Sequence, residues 1–352
     1  MTSQPYLFPS FFLFFHMTPT PPPVRRRIIA CMDGTWETPS ARTNIYKWYE
    51  NVLISRPIVS EDDRGKEMWL QVARYFPGVG TTTFKQFSGI FGLGISQQII
   101  DAYVFLSENY RDENDEIWII GYSRGAYAAR SLAGMIYNVG LLPCKHAPEQ
   151  ISVAYRLYRN RDGDSGPKSA AALKFRTRYN CMDPKIRFLG CFDTVGTLGV
   201  PRLPWYMGGS LFWNLFHGLN NFHDTKISPI VKSAFHALSI HDQRAWFEPT
   251  LMRFTSKQMD GQELEQVWFP GMHSDVGGQE ISSLLANHAL RWMMTKAEER
   301  GFKFKYALYP IVPNSNEVIH VTYSFIDSPL MKYVAEGPFY IMTAMKVHLS
   351  IV

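Results

Sequence analysis

The sequence predicts an α/β fold with a mostly parallel central sheet and helices on both faces. Three observations carry that prediction. Short, continuously apolar runs alternate with helical segments, as strands buried on both faces do. One such run, Ile117-Trp-Ile-Ile120, leads into Gly121-Tyr-Ser-Arg-Gly125 and then a stretch dominated by Ala126, Ala128, Ala129, Ala133 and Gly134. Aspartates and a histidine follow other runs, at the carboxyl ends where open parallel sheets bind ligands.

The elements follow in chain order. Arg27-Ile-Ile-Ala-Cys-Met32 reads as a buried strand ending in Asp33-Gly34-Thr35. Residues 43–54 place Ile45, Trp48, Val52 and Leu53 at helical spacing. Trp69–Phe76 is a second strand stopped by Pro77-Gly78, followed by a Gly/Thr-rich loop to Thr83 and a loose stretch containing Gly89, Gly92 and Gly94. Residues 95–110 form an amphipathic helix, with Ile99, Ile100, Tyr103, Phe105 and Leu106 placed to cover a sheet. Strand Glu116–Ile120 and a helix to about Asn138 flank Ser123. Asp162–Lys168 is a polar surface loop, and Ile186–Phe192 and Gln266–Phe269 extend the sheet. Residues 228–247 and 281–300 read as helices that carry His236 and His241, and His288, as surface or packing residues.

The chain of 352 residues is 46% hydrophobic and 19% charged, an ordinary globular composition that allows one large α/β domain or two smaller ones. A net charge of +5 is mild, and Arg25–Arg27 reads as a solvated strand edge, so no nucleic-acid partner is inferred. The four cysteines show no Cys-x-x-Cys spacing, and Cys31 and Cys191 lie in buried-strand runs. That usage fits a reducing compartment, or at least requires no oxidising one, and the expected location is cytoplasmic. Secretion is the alternative if the first 16 residues act as a signal, although Pro9 interrupts their aromatic run and no basic region precedes it. Met17 is a second candidate start, and residues 1–24 are read as a disordered extension. Between 200 and 226, prolines, glycines and aromatics crowd together with almost no charge. Such an insertion is either a lid or acyl-chain wall beside the site, or a packed subdomain.

The Gly-x-Ser-x-Gly turn presents Ser123 at the start of a helix, where backbone N–H groups and the helix dipole face whatever the serine attacks. Its plainer reading is a tight structural turn. A serine nucleophile needs a base, and the base needs an acid to fix its tautomer. Asp193 follows Ile186–Phe192, and His273 follows Gln266-Val-Trp-Phe-Pro-Gly271. The chain order Ser123, Asp193, His273 is that of α/β-hydrolases. Asp275 rivals Asp193 as the acid, or instead caps a helix or holds the loop. The oxyanion donors are expected from the backbone of Arg124 and from Gly34 or Thr35, with Asp33 bracing that loop; an ordinary Asp-Gly turn is the alternative.

Two other chemistries fit parts of the pattern. Asp33-Gly34-Thr35 resembles the start of haloacid-dehalogenase phosphatases, whose chemistry would need a second aspartate at position 31, where Cys31 stands. A metal held by Asp33, Asp193, His273 and Asp275 would leave Ser123 without a role. Neither a cofactor nor a metal is therefore expected.

Several motifs in one order make a further resemblance specific. These are Cys31-Met-Asp-Gly-Thr-Trp36 with Thr43-Asn44, Phe76-Pro-Gly-Val-Gly80, Gly121–Tyr127, Cys191-Phe-Asp-Thr-Val-Gly196, His236–Arg244 and Val267–Gly278. Over about residues 26–300 the chain resembles an α/β-hydrolase-like family of fungi and bacteria that includes the catalytic domain of the first family of type VI secretion lipase effectors. The resemblance implies a Ser–Asp–His hydrolase, with phospholipase A activity in the bacterial effectors, and its triad falls on Ser123, Asp193 and His273. Gln279-Glu280 stands where the family has glycine, and residues 301–352 match poorly, which leads us to expect a truncated C-terminal segment after a catalytic domain at 25–300.

The function expected is hydrolysis of carboxylic esters, lipid or phospholipid acyl esters above all, with peripheral membrane contact and an oligomeric state left open. The alternative is a binding or scaffold protein that keeps the hydrolase fold without turnover.

Overall fold

The computed structural model describes residues 24–34, 37–54, 58–62, 65–78, 88–160, 166–195, 226–242, 249–254, 261–278 and 283–306. The expected N-terminal extension up to residue 23, the Gly/Thr-rich loop beyond residue 78, the aromatic insertion up to residue 225 and the segment from 307 on lie outside these residues.

Nine strands are described: β1 (Val24–Met32), β2 (Ile58–Asp62), β3 (Gly65–Phe76), β4 (Glu116–Tyr122), β5 (Ile186–Phe192), β6 (Lys226–Ile227), β7 (Val231–Ser239), β8 (Arg253–Phe254) and β9 (Glu263–Phe269). Seven of them form one sheet in the order β2-β3-β1-β4-β5-β7-β9. Every pairing in it is parallel except that of the edge strand β2 with β3. This is the α/β fold the sequence predicts. β6 and β8 pair in a separate small ladder. The helices are α1 (Asn44–Asn51), α2 (Ser88–Asn109), α3 (Arg124–Val139), α4 (Ala147–Arg159), α5 (Ala170–Tyr179), the short α6 (His273–Gly277) and α7 (Ser283–Glu298).

Alternation along the strands splits the core into two layers. On β1, Ile28, Ala30 and Met32 join Ile99, Tyr103, Leu132 and Ile136 of α2 and α3 on one face. Ile29 and Cys31 join Trp48 of α1 and Leu290 and Met293 of α7 on the other. Cys31 and Cys191 are both fully buried, and burial pushes their thiols up, Cys191 to about 12.

Four expectations need correction. The helix expected at 228–247 is strand β7, hydrogen-bonded to β5 on one side and β9 on the other. Its Lys232, Ala234, Ala237 and Leu238 read as helix formers. In a strand covered on both faces, small residues are what let the flanking helices approach, and tertiary context overrides propensity. Arg25–Arg27 is a solvated edge only in part, because Arg25 and Arg26 pair with β3 alone and are half-buried, whereas Arg27 is paired on both sides. Arg27 is buried, with its guanidinium 4.2 Å from the centre of the Trp69 ring and its Nε donating to Glu116 at 3.0 Å. The sheet takes in Val24, and α2 starts at Ser88 rather than 95, running through Gly89, Gly92 and Gly94.

Packing also continues past residue 300. Phe302 is fully buried between Trp48 and Trp118, with ring centres 5.5 and 5.0 Å away. Phe304 bridges Val52, and Gln71 holds both backbone groups of Lys303. Phe302→Ala is therefore expected to destabilise the domain by about 3–5 kcal/mol in urea unfolding. Tyr306→Ala, at a side chain 73% exposed, stays within about 0.5 kcal/mol. Equal, small effects would show that residues 301–306 do not belong to the cooperative core.

Candidate active site

Parallel strands end on one edge of the sheet, and the chemistry-bearing residues collect there. Chain order reverses between β1 and β4, because β3 lies on one side of β1 and β4 on the other. At such a switch point the loops after two neighbouring strands diverge and open a crevice. Asp33-Gly34 leaves β1 on one wall of it, and Ser123 leaves β4 on the other.

Ser123 joins β4 to α3 with φ 56 and ψ −123, a left-handed conformation costly for a serine. The flanking glycines make the turn possible by taking no room. A Cβ on Gly125 would lie 2.3 Å from the Met32 carbonyl oxygen, and one on Gly121 would lie 2.5 Å from that of Gly125. Ser123 N–H donates to Phe192 O at 2.9 Å, which pins the turn to the end of β5. The serine remains 7% exposed.

Three side chains from three strand ends form a continuous chain of contacts. His273 Nε2 lies 2.8 Å from Ser123 Oγ, and its Nδ1 lies 2.6 Å from Asp193 Oδ2. Asp193 is fully buried, and its Oδ1 accepts from Ser239 N–H at 2.9 Å. The Tyr122 ring packs against the imidazole, with ring centres 4.8 Å apart and planes tilted by 31°, and its hydroxyl donates to His273 O at 3.3 Å. Asp275 is turned elsewhere. Its Oδ2 accepts from Met272 N–H at 2.7 Å, so it closes the turn that carries His273. The neighbouring Gly271 has φ 102, and a Cβ there would run into that carboxylate.

The loop after β1 is braced by Asp33, as its sequence suggests. Buried Asp33 accepts from Gly34 N–H at 2.8 Å, from the Tyr75 hydroxyl at 2.7 Å and from the Thr43 hydroxyl. This corrects the expectation for Gly34 as an oxyanion donor, because its N–H is spent on Asp33. What Gly34 supplies is space, since a Cβ there would lie 3.2 Å from Ser123 Cβ. Thr35 lies outside the described residues. Arg124 is the first residue of α3, with its N–H at the positive end of that helix. Burial lowers the Arg124 guanidinium to about 10, which leaves it protonated at neutral pH.

Residues to which the sequence assigns no role at the site hold the histidine loop. His241 Nδ1 accepts from Gly271 N–H at 2.9 Å, Asp242 Oδ2 accepts from His273 N–H at 3.1 Å, and Ser239 Oγ donates to Gly271 O at 3.2 Å. All three sit at the end of β7, and reading β7 as a helix hid them. Asn44 Nδ2 donates to Val276 O and Ala286 O, each at 2.9 Å, and ties α1 to α6 and α7. Among the described residues, no three His, Cys, Asp or Glu side chains gather as a metal site would need. Asp33, Asp193, His273 and Asp275 are divided between the Asp33 brace, the Asp193–His273 contact and the Asp275 turn.

The family model for the catalytic domain of T6SS Tle1-like phospholipase effectors matches residues 26–296, from within β1 to within α7. This chain belongs to that family. A curated relative, the uncharacterized protein YEL023C of Saccharomyces cerevisiae, is 31% identical over 247 residues, covering 63% of this chain and 32% of the yeast protein. An uncharacterized protein from Pseudomonas aeruginosa, solved by crystallography, is 18% identical with a TM-score of 0.39, over 80% of this chain and 47% of that one. The Tle1 effector, solved bound to the VgrG spike of the type 6 secretion system, is 19% identical with a TM-score of 0.37, over 73% and 51% of the two chains. The chain thus spans about a third of its yeast relative and about half of the two solved ones.

Burial pushes the Asp33 carboxyl up to about 6, against the pull of its three donors. The folded protein therefore keeps the Asp33 proton between about pH 4 and 6, where the unfolded chain has released it, and stability falls as pH rises through that window. Asp33→Asn removes this component. Measured by urea unfolding, the variant should gain about 3 kcal/mol relative to wild type between pH 4 and 7. A difference independent of pH would contradict the assignment.

Proposed function

We propose that this domain is a serine hydrolase that cleaves carboxylic esters, with lipid or phospholipid acyl esters as its substrate class. The observation that carries the proposal is the unbroken Ser123–His273–Asp193 contact chain beside a strained strand-to-helix turn. Membership of a phospholipase effector family supports the lipid substrate. In this reading Ser123 Oγ attacks the ester carbonyl carbon while His273 Nε2 takes the hydroxyl proton. Asp193 fixes the tautomer with the proton on Nδ1 and stabilises the imidazolium. Collapse of the tetrahedral intermediate expels the alcohol, which receives that proton from His273. Water then attacks the acyl-serine by the same relay and releases the acid.

We assign the oxyanion donors to the backbone N–H groups of Arg124 and Thr35. Arg124 follows the nucleophile directly, and Thr35 is the next residue beyond the Gly34 N–H that Asp33 occupies. A lipid ester would be met at a bilayer surface, so peripheral membrane contact belongs to the proposal. Among the described residues, no helix is long and apolar enough to cross a membrane.

A fluorophosphonate probe should label the purified wild type and fail to label Ser123→Ala. Release of fatty acid from phosphatidylcholine vesicles and from p-nitrophenyl esters should vanish with the same substitution. Equal labelling of both proteins would remove Ser123 as nucleophile, and labelling without turnover on any ester would favour the binding-protein reading.

The two aspartates separate the roles of acid and turn support. Asp193→Asn should lower kcat by about 10⁴, because the amide favours the wrong imidazole tautomer. Asp275→Asn keeps an acceptor for Met272 N–H and should stay within about tenfold of wild type. The reverse order would exchange the two assignments.

A further inference from the structure

His236 is a fully buried imidazole in the middle of the sheet that plays no part in the proton relay. It lies on β7 opposite Cys191 of β5 and Gln266 of β9. Its Nε2 accepts from the backbone N–H of Thr194 at 3.1 Å. Its Nδ1 lies 3.2 Å from Gln266 Oε1, which acts as the acceptor, so the proton sits on Nδ1. Gln266 in turn holds the backbone of Met252, accepting from its N–H at 2.8 Å and donating to its carbonyl at 3.2 Å. Thr194 closes the circuit, because its carbonyl accepts from Thr250 N–H at 2.8 Å.

The residue before Thr194 is Asp193, whose φ of 39 is left-handed. At that twist the chain leaves the regular ladder, and Thr194 N–H would be a buried donor without a partner if position 236 were apolar. Resting on the serine-hydrolase reading, we propose that His236, its tautomer set by Gln266, is a positioning residue that holds the Asp193–Thr194 turn and so aims the Asp193 carboxylate at His273. It touches neither substrate nor reacting atoms. The charged and titratable groups that face it are Arg130 from α3 and Cys191 from β5. Burial first, and Arg130 second, bring the imidazole down to about 3. Nε2 therefore stays an acceptor over the whole working pH range of an ester hydrolase.

The test compares His236→Leu, which removes the acceptor, with His236→Gln, whose amide oxygen can reach the place of Nε2, and with Gln266→Met. Fluorophosphonate labelling counts competent sites, so kcat is read per labelled serine. His236→Leu should lower kcat by about a hundredfold with KM unchanged. It should also shift the acid limb of the kcat/KM profile to lower pH, because a displaced carboxylate stabilises the His273 imidazolium less. His236→Gln should restore kcat to within about fivefold, and Gln266→Met should fall between the two. The His273 titration read by NMR should follow the same order and needs no turnover, so it separates failure of this inference from failure of the hydrolase reading. If His236→Leu fails to fold, Gln266→Met against wild type carries the comparison. Unchanged kcat per labelled site, pH profile and His273 titration would overturn the inference and leave His236 as packing alone.

Discussion

Everything at this site depends on one backbone constraint, the left-handed turn at Ser123. A serine there pays about 1–3 kcal/mol in conformational strain. The turn holds because Gly121 and Gly125 leave room for the backbone to fold back on the ends of β1 and β4, and because Phe192 O anchors the serine N–H. Fixed in this way, Oγ stands at the head of α3, in reach of an imidazole that arrives from the far side of the sheet. Moving either glycine by one methyl group would push the turn against main-chain carbonyls, which cannot rotate away as a side chain can.

Four loops from the carboxyl ends of β1, β5, β7 and β9 then converge on that fixed point, and buried polar contacts set their spacing. Asp33 gathers Gly34, Thr43 and Tyr75; Asn44, the next residue after Thr43, reaches Val276 just beyond His273. Ser239 serves two loops at once, with its N–H on Asp193 and its hydroxyl on Gly271. Such networks are costly when half satisfied and rigid when complete. Preorganisation of this kind suits the proposed relay, because groups already held in place cost less to order when substrate binds.

Much of this was legible from the chain, for a physical reason. Ser123 follows the continuous apolar run Ile117–Ile120, and Asp193 follows Ile186–Phe192, interrupted only by Arg187; such runs admit few readings other than a buried strand. His273 follows the shorter run Val267-Trp-Phe269 at the end of the edge strand β9, where Pro270-Gly271 marks the strand's end. Asp33 as loop brace was readable because an Asp followed by Gly bonds its own backbone. β7 was not readable as a strand: Lys232, Ala234, Ala237 and Leu238 favour helix locally, and only pairing with β5 and β9 decides otherwise. With β7 misread, Ser239, His241 and Asp242 lost their place at a strand end, and His236 read as a surface or packing residue.

The central claim is that Asp193, and no other carboxylate, shares a proton with His273 Nδ1. Proton NMR of the ¹⁵N-histidine-labelled protein tests it most directly. The 2.6 Å contact predicts a strongly deshielded Nδ1 proton that is present in wild type and in Asp275→Asn and absent in Asp193→Ala and His273→Gln. A spectrum in which that resonance survives loss of Asp193, or disappears with Asp275, would contradict the account.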